Sequence, residues 1–171
     1  MHRTKLQAVV AATTATVVLV GVATFAFAGH TNTLLESNLK GKNEVANPPS
    51  SRNVGDPNGE GENYVFGIDG DPKTLCYVLI VDDIAPATAA HIHEGKKGTN
   101  GPVVANLAAP GDGNAADCLT EGEPGKFVVD ATGAQLATVA EILADPKGYY
   151  VNVHNAEYPG GAIRGQLKLQ D

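Results

Sequence analysis

Tryptophan is absent from the 171 residues, and aromatic side chains make up only 5% of them. The core must therefore be filled by aliphatic side chains and a few Tyr and Phe rings. No block of Lys and Arg occurs; 12 basic residues stand against 19 acidic ones, formally −7. Nucleic acid and anionic membrane surfaces attract clustered cations, so neither is an expected partner. No period of 20–50 residues repeats, which argues against a solenoid. G-x-S-x-G, H-E-x-x-H and P-loop strings are missing, and Ser37, Ser50 and Ser51 have no neighbouring histidine in the N-terminal loop region. A Ser–His–Asp triad is not expected. Asp56 to Glu62 is acidic but lacks the ligand order of an EF-hand, and reads as a solvated turn. Asp82 and Asp83 are adjacent on a strand, so they point to opposite faces and share no proton site.

What is present fits one exported domain. A hydrophobic share of 43% excludes wholesale disorder, and the length suits a single domain of ordinary size. Residues 1–28 read as a secretory signal: Arg3 and Lys5 open it, an apolar run from Leu6 follows, and Ala26-Phe27-Ala28 offers an A-x-A cleavage site before Gly29. Cleavage leaves no stable membrane anchor and removes two basic residues, so the mature balance is 10 against 19, or −9. Export also decides how the two cysteines read. In an oxidising compartment Cys76 and Cys118 are most simply one disulfide.

The mature chain divides into a polar lead-in, 29–36, and one domain, 37–171. Tyr64 to Ile68 alternates as a strand does, and Thr74 to Val81 is apolar at nearly every position, as in a central strand covered on both sides. Ala89 to His93 and Val103 to Leu107 read as further strands. Residues 108–125 are acidic and turn-rich, which predicts a long surface loop pinned by Cys118. The spacing of Leu136, Val139, Ala140 and Leu143 predicts one helix over 135–144, stopped by Pro146. Tyr149 to His154 and Ala162 to Leu169 are strands joined by Tyr158-Pro159-Gly160-Gly161. In the last, Ile163, Gly165, Leu167 and Leu169 face a core while Arg164, Gln166 and Lys168 face water. Some seven short strands and one helix predict an all-β fold, a β-sandwich or Greek-key barrel.

His91, His93 and His154 are the candidate chemistry. His91 and His93, two apart on a strand, leave the same face. If the strand ending at His154 lies beside theirs, three imidazoles meet, a set suited to Zn²⁺ or Cu²⁺, with Glu94 or Glu157 as a further carboxylate. The alternative is that the rings anchor loops, one nitrogen donating and the other accepting. His2 leaves with the signal and His30 lies in the lead-in.

Several strings resemble the CHRD (chordin) domain family. They are Asn38-Leu39-Lys40-Gly41-Lys42-Asn43-Glu44-Val45 with Pro48-Pro49, Leu75-Cys76-Tyr77, Ala89 to Gly95, Gly98 to Val104, and Tyr149 to Leu167. Ala46-Asn47 interrupts the Glu-Val-Pro-Pro run usual in that family. The resemblance implies a β-sandwich or immunoglobulin-like barrel, an extracellular setting and no agreed catalytic activity. His91-Ile92-His93-Glu94 is also similar to the copper-ligand strand of Cu,Zn superoxide dismutases, without the later histidines and aspartate string of their two-metal site. The leading expectation is a secreted, non-enzymatic binding or structural module of unassigned ligand, with an extracellular protein or a metal ion as the candidate partners. The alternative is a copper- or zinc-binding protein, open to redox chemistry, using His91, His93 and His154.

Overall fold

The computed structural model describes residues 34–48 and 54–170. The signal segment and its cleavage site, with His2 and His30, lie outside the described residues. Nine strands form one antiparallel sheet: β1 (Leu34–Lys40), β2 (Glu60–Ile68), β3 (Asp71–Asp82), β4 (Ala87–Glu94), β5 (Val103–Leu107), β6 (Asn114–Thr120), β7 (Tyr149–Asn155), β8 (Ile163–Gln166) and β9 (Lys168–Leu169). Their order is β5-β4-β7-β8-β1-β2-β3-β6, with β9 paired to β1. A single helix, α1 (Val139–Ala144), precedes β7.

Connection lengths show how this sheet curls. Strands β3 and β4 stand near opposite ends of the order, yet only residues 83–86 join them. The outermost strands, β5 and β6, are joined by residues 108–113 alone. Links this short require the two ends of the sheet to face each other, so the strands wrap into a nearly closed Greek-key barrel. Inside are Leu35 and Leu39 of β1, Leu75, Tyr77 and Leu79 of β3, Ile92 of β4, Val151 and Val153 of β7, and Ile142 of α1. The Tyr77 hydroxyl accepts from the Ala108 amide at 2.6 Å, which lets a phenol sit in an aliphatic core.

Four local expectations change. First, β1 begins at Leu34, inside the expected lead-in, and Ser37 is a buried strand residue rather than part of a loop. Second, the acidic stretch 108–125 is not one long loop: residues 114–120 form β6 against β3. Ala, Asn and Asp are poor strand formers, but Cys76 and Cys118 sit directly opposite in the ladder and are bonded as a disulfide. Third, α1 starts at Val139, because Gln135 bridges Val129 and the Leu136 amide donates to the Val128 carbonyl. Thr138 and Glu141 form a capping box at the true start. Fourth, the second face of β3 is covered only in part: Thr74 and Cys76 are buried on it, but Ile80 is 46% exposed.

The disulfide closes a chain separation of 42 residues. On the chain-entropy model such a loop contributes about 4 kcal/mol. The Cys76→Ala/Cys118→Ala protein is therefore expected to unfold at markedly lower urea, with the difference approaching that figure. A change below about 1 kcal/mol would show that the ladder alone holds β6.

Candidate metal centre

Strands β4, β7 and β8 are consecutive neighbours. Their inward residues, Ala90, Ile92, Val151, Val153 and Ile163, belong to the core. The alternating residues face outward, and the register sets them in rows: Ala89 beside His154, His91 beside Asn152, and His93 beside Tyr150. The rows continue into β8, with Arg164 beside Asn152 and Gln166 beside Tyr150. The three histidines therefore share one outer face on adjacent strands. That adjacency was the condition left open by the sequence.

An outer face normally meets water, but here two loops cover it. Arg164 is 5% exposed, against its expected place on a solvated face, because both loops converge on its guanidinium. Its Nε donates to Glu44 Oε2 at 3.2 Å, Nη1 to the Thr99 carbonyl at 3.0 Å, and Nη2 to Asn100 Oδ1 at 2.6 Å. The cation also lies 4.1 Å from the Tyr150 ring centroid. Asn100 Nδ2 in turn donates to the Val45 carbonyl, tying the loops together. Burial pushes the Glu44 carboxyl up to about 7, against the pull of the Arg164 guanidinium. Gly161 has φ +134, and a Cβ there would lie 2.7 Å from that carboxylate. The glycine is required by both conformation and space.

Beneath this roof the rings divide their nitrogens between two tasks. His93 Nδ1 lies 2.9 Å from the Gly101 carbonyl, and His154 Nδ1 lies 3.1 Å from the Pro159 carbonyl. A carbonyl only accepts, so in each neutral ring Nδ1 carries the hydrogen and Nε2 presents a lone pair. His91 Nδ1 is 3.2 Å from His154 Nε2, and His93 Nε2 is buried with no partner. One candidate nitrogen from each ring lies within 4.8 Å of the others. A tetrahedral ion about 2.0–2.1 Å from each nitrogen sets them roughly 3.4 Å apart. The closest pair already fits, and the widest closes by at most about 1.4 Å. His93 is further fixed by stacking on Tyr150, at 4.8 Å between centroids and 9° between planes.

Electrostatics leave the rings neutral. Burial lowers His91 to about 4, with the His154 and His93 rings adding to the effect. Burial also lowers His93 and His154, each opposed by its carbonyl hydrogen bond. Neutral imidazole is the form a metal ion takes. Glu94 and Glu157 are exposed and outside the cluster, so no carboxylate joins it among the described residues. Asp56 is not in a solvated turn: it is buried, and its Oδ1 accepts from the Asn58 and Gly59 amides. Sequence reasoning missed Glu44, Tyr150, Asn152 and Arg164. Their signal was positional, since Tyr150, Asn152 and His154 alternate along β7 on the histidine face.

A nearly closed antiparallel barrel with a roofed histidine face defines the class of this molecule. The chain belongs to the CHRD domain family, whose model matches residues 35–167. No curated protein matches the sequence.

The depressed imidazoles have a consequence for metal-free protein. Stability is expected to fall as pH drops from about 6.5 towards about 4, because the unfolded chain takes up protons that the folded His91 ring refuses. Glu44 acts oppositely, gaining its proton more readily when folded, so comparison with a variant isolates the histidine contribution. In urea unfolding with EDTA, His91→Gln should flatten this slope. Parallel curves for the two proteins would contradict the assignment.

Proposed function

We propose that this protein is exported and that its CHRD domain is a binding module for one transition-metal ion, copper or zinc, held by His91, His93 and His154. The observation that carries the reading is the orientation of His93 and His154. Each donates Nδ1–H to a backbone carbonyl and so keeps its lone pair on Nε2, while one nitrogen of each of the three rings lies within 4.8 Å of the others. Outer hydrogen bonds of this kind fix the tautomer of metal-bound imidazoles. The borderline-soft nitrogen set suits Zn²⁺ and Cu²⁺ over Mg²⁺ or Ca²⁺, which favour oxygen. The same two hydrogen bonds also favour a second reading, in which the rings only anchor the loops over the sheet.

Untagged protein, stripped with EDTA and titrated with Cu²⁺ and Zn²⁺ by calorimetry, separates the two. The expected result is one ion per chain and a loss of at least about 100-fold in affinity for His93→Ala. No stoichiometric binding, together with reduced stability in the variant, would leave the anchoring reading in place. Export has its own check. N-terminal sequencing of secreted material should begin at or near Gly29, and an intact Met1 in a membrane fraction would contradict it.

A further inference from the structure

The metal reading accounts for one of two orphaned polar atoms beside the histidines and leaves the other. Beside the histidines lies a cleft of about 420 Å³ whose lining includes His93, Asn100, Tyr150, Asn152, His154 and Arg164. Two of these residues present a buried atom with no hydrogen-bond partner: Nε2 of His93 and Oδ1 of Asn152. Asn152 is 2% exposed, stands opposite His91 in the ladder, and precedes His154 by two residues on the same strand face. An ion on the three rings takes up the His93 lone pair. It leaves the Asn152 amide over, because a borderline-soft ion held by three imidazoles has little affinity for a neutral amide oxygen.

We propose that the ion keeps a fourth, exchangeable position open to this cleft, and that Asn152 hydrogen-bonds the small monodentate ligand held there. This rests on the three-histidine metal reading. Three protein ligands leave one tetrahedral position free, the arrangement of an open site rather than a closed structural one. Water fills that position at rest and donates to Asn152 Oδ1. A small anion displaces it and accepts from the same amide turned over, at the expense of the hydrogen bond that the Asn152 amide otherwise makes with Glu44. The cleft is roomy enough for such exchange, because one water takes up only about 30 Å³ of liquid. Arg164 does not bind the anion: its guanidinium is already taken by Glu44, Thr99 and Asn100. The discriminating group is the neutral amide.

The test uses Cu²⁺-loaded protein titrated with azide, followed by the azide-to-copper charge-transfer absorption and by electron paramagnetic resonance, with copper content measured in every sample. Wild-type protein is expected to give a saturable 1:1 azide complex. Asn152→Ala should weaken azide binding about 10-fold. Asn152→Asp, of nearly the same shape but unable to donate when ionised, should weaken it at least as much, and serves if the alanine variant does not fold. Copper bound 1:1 with no azide complex would overturn the open position while leaving the metal reading intact. Equal azide affinity in wild type and both variants would overturn the role of Asn152. Failure of the wild-type protein to bind copper or zinc would overturn the metal reading and this inference with it.

Discussion

Arg164 projects from the face of β8 where a barrel strand ordinarily meets water, yet its guanidinium is buried against Glu44. A buried charge is tolerable only when paired and fully hydrogen-bonded. Arg164 meets that demand with partners from two separate loops and a ring contact to Tyr150. The cation thus fixes the loop carrying Glu44 and the loop carrying Thr99 and Asn100 over the sheet. Removing one member of such a pair costs more than the pair contributes, because the other charge is left buried alone. The roof over the histidine face therefore rests on this ion pair, reinforced by the hydrogen bond from Asn100 to the Val45 carbonyl.

The state of the histidines follows from that roof. Burial lowers their pKa values, and the loop held by Arg164 also supplies the Gly101 carbonyl that orients His93. Gly101 must be glycine for this approach, since a Cβ there would lie 1.6 Å from the Glu94 carbonyl oxygen. Its amide donates to the Tyr150 hydroxyl, and the Tyr150 ring stacks on His93. Charge pairing, loop position, ring orientation and protonation state form one chain of causes.

Much of the fold was legible in the sequence where hydrophobic alternation was clean, as at Tyr64 to Ile68, Ala89 to His93 and Tyr149 to His154. It was obscured where tertiary pairing overrode composition. Strand β6 is built from Ala, Asn, Asp and Cys and holds its place through ladder partners on β3, which no local pattern reveals. The early helix boundary at Gln135 ignored the Thr138–Glu141 capping box, although those residue types at that spacing were visible. His91, His93 and His154 were legible as residue types, but their meeting depended on β4 and β7 being neighbours. Arg164 was misplaced for a related reason. Alternation assigns it a face of the strand and says nothing about what lies over that face.

The strings that carry the family resemblance are those that build this roofed face. Asn38 to Val45 holds Glu44, Ala89 to Gly95 holds His91 and His93, and Gly98 to Val104 holds Thr99, Asn100 and Gly101. Tyr149 to Leu167 holds Tyr150, Asn152, His154 and Arg164. The barrel core needs only aliphatic residues of suitable size, a demand many sequences satisfy. The outer face demands particular groups at particular register positions. It also leaves His93 Nε2 and Asn152 Oδ1 buried without partners, at a cost of about 1–3 kcal/mol for each such atom. A fold held together only by its core would relieve that cost by exposing the face. Here the Arg164 pair keeps the face covered, and a ligand that engages both atoms recovers the energy held there.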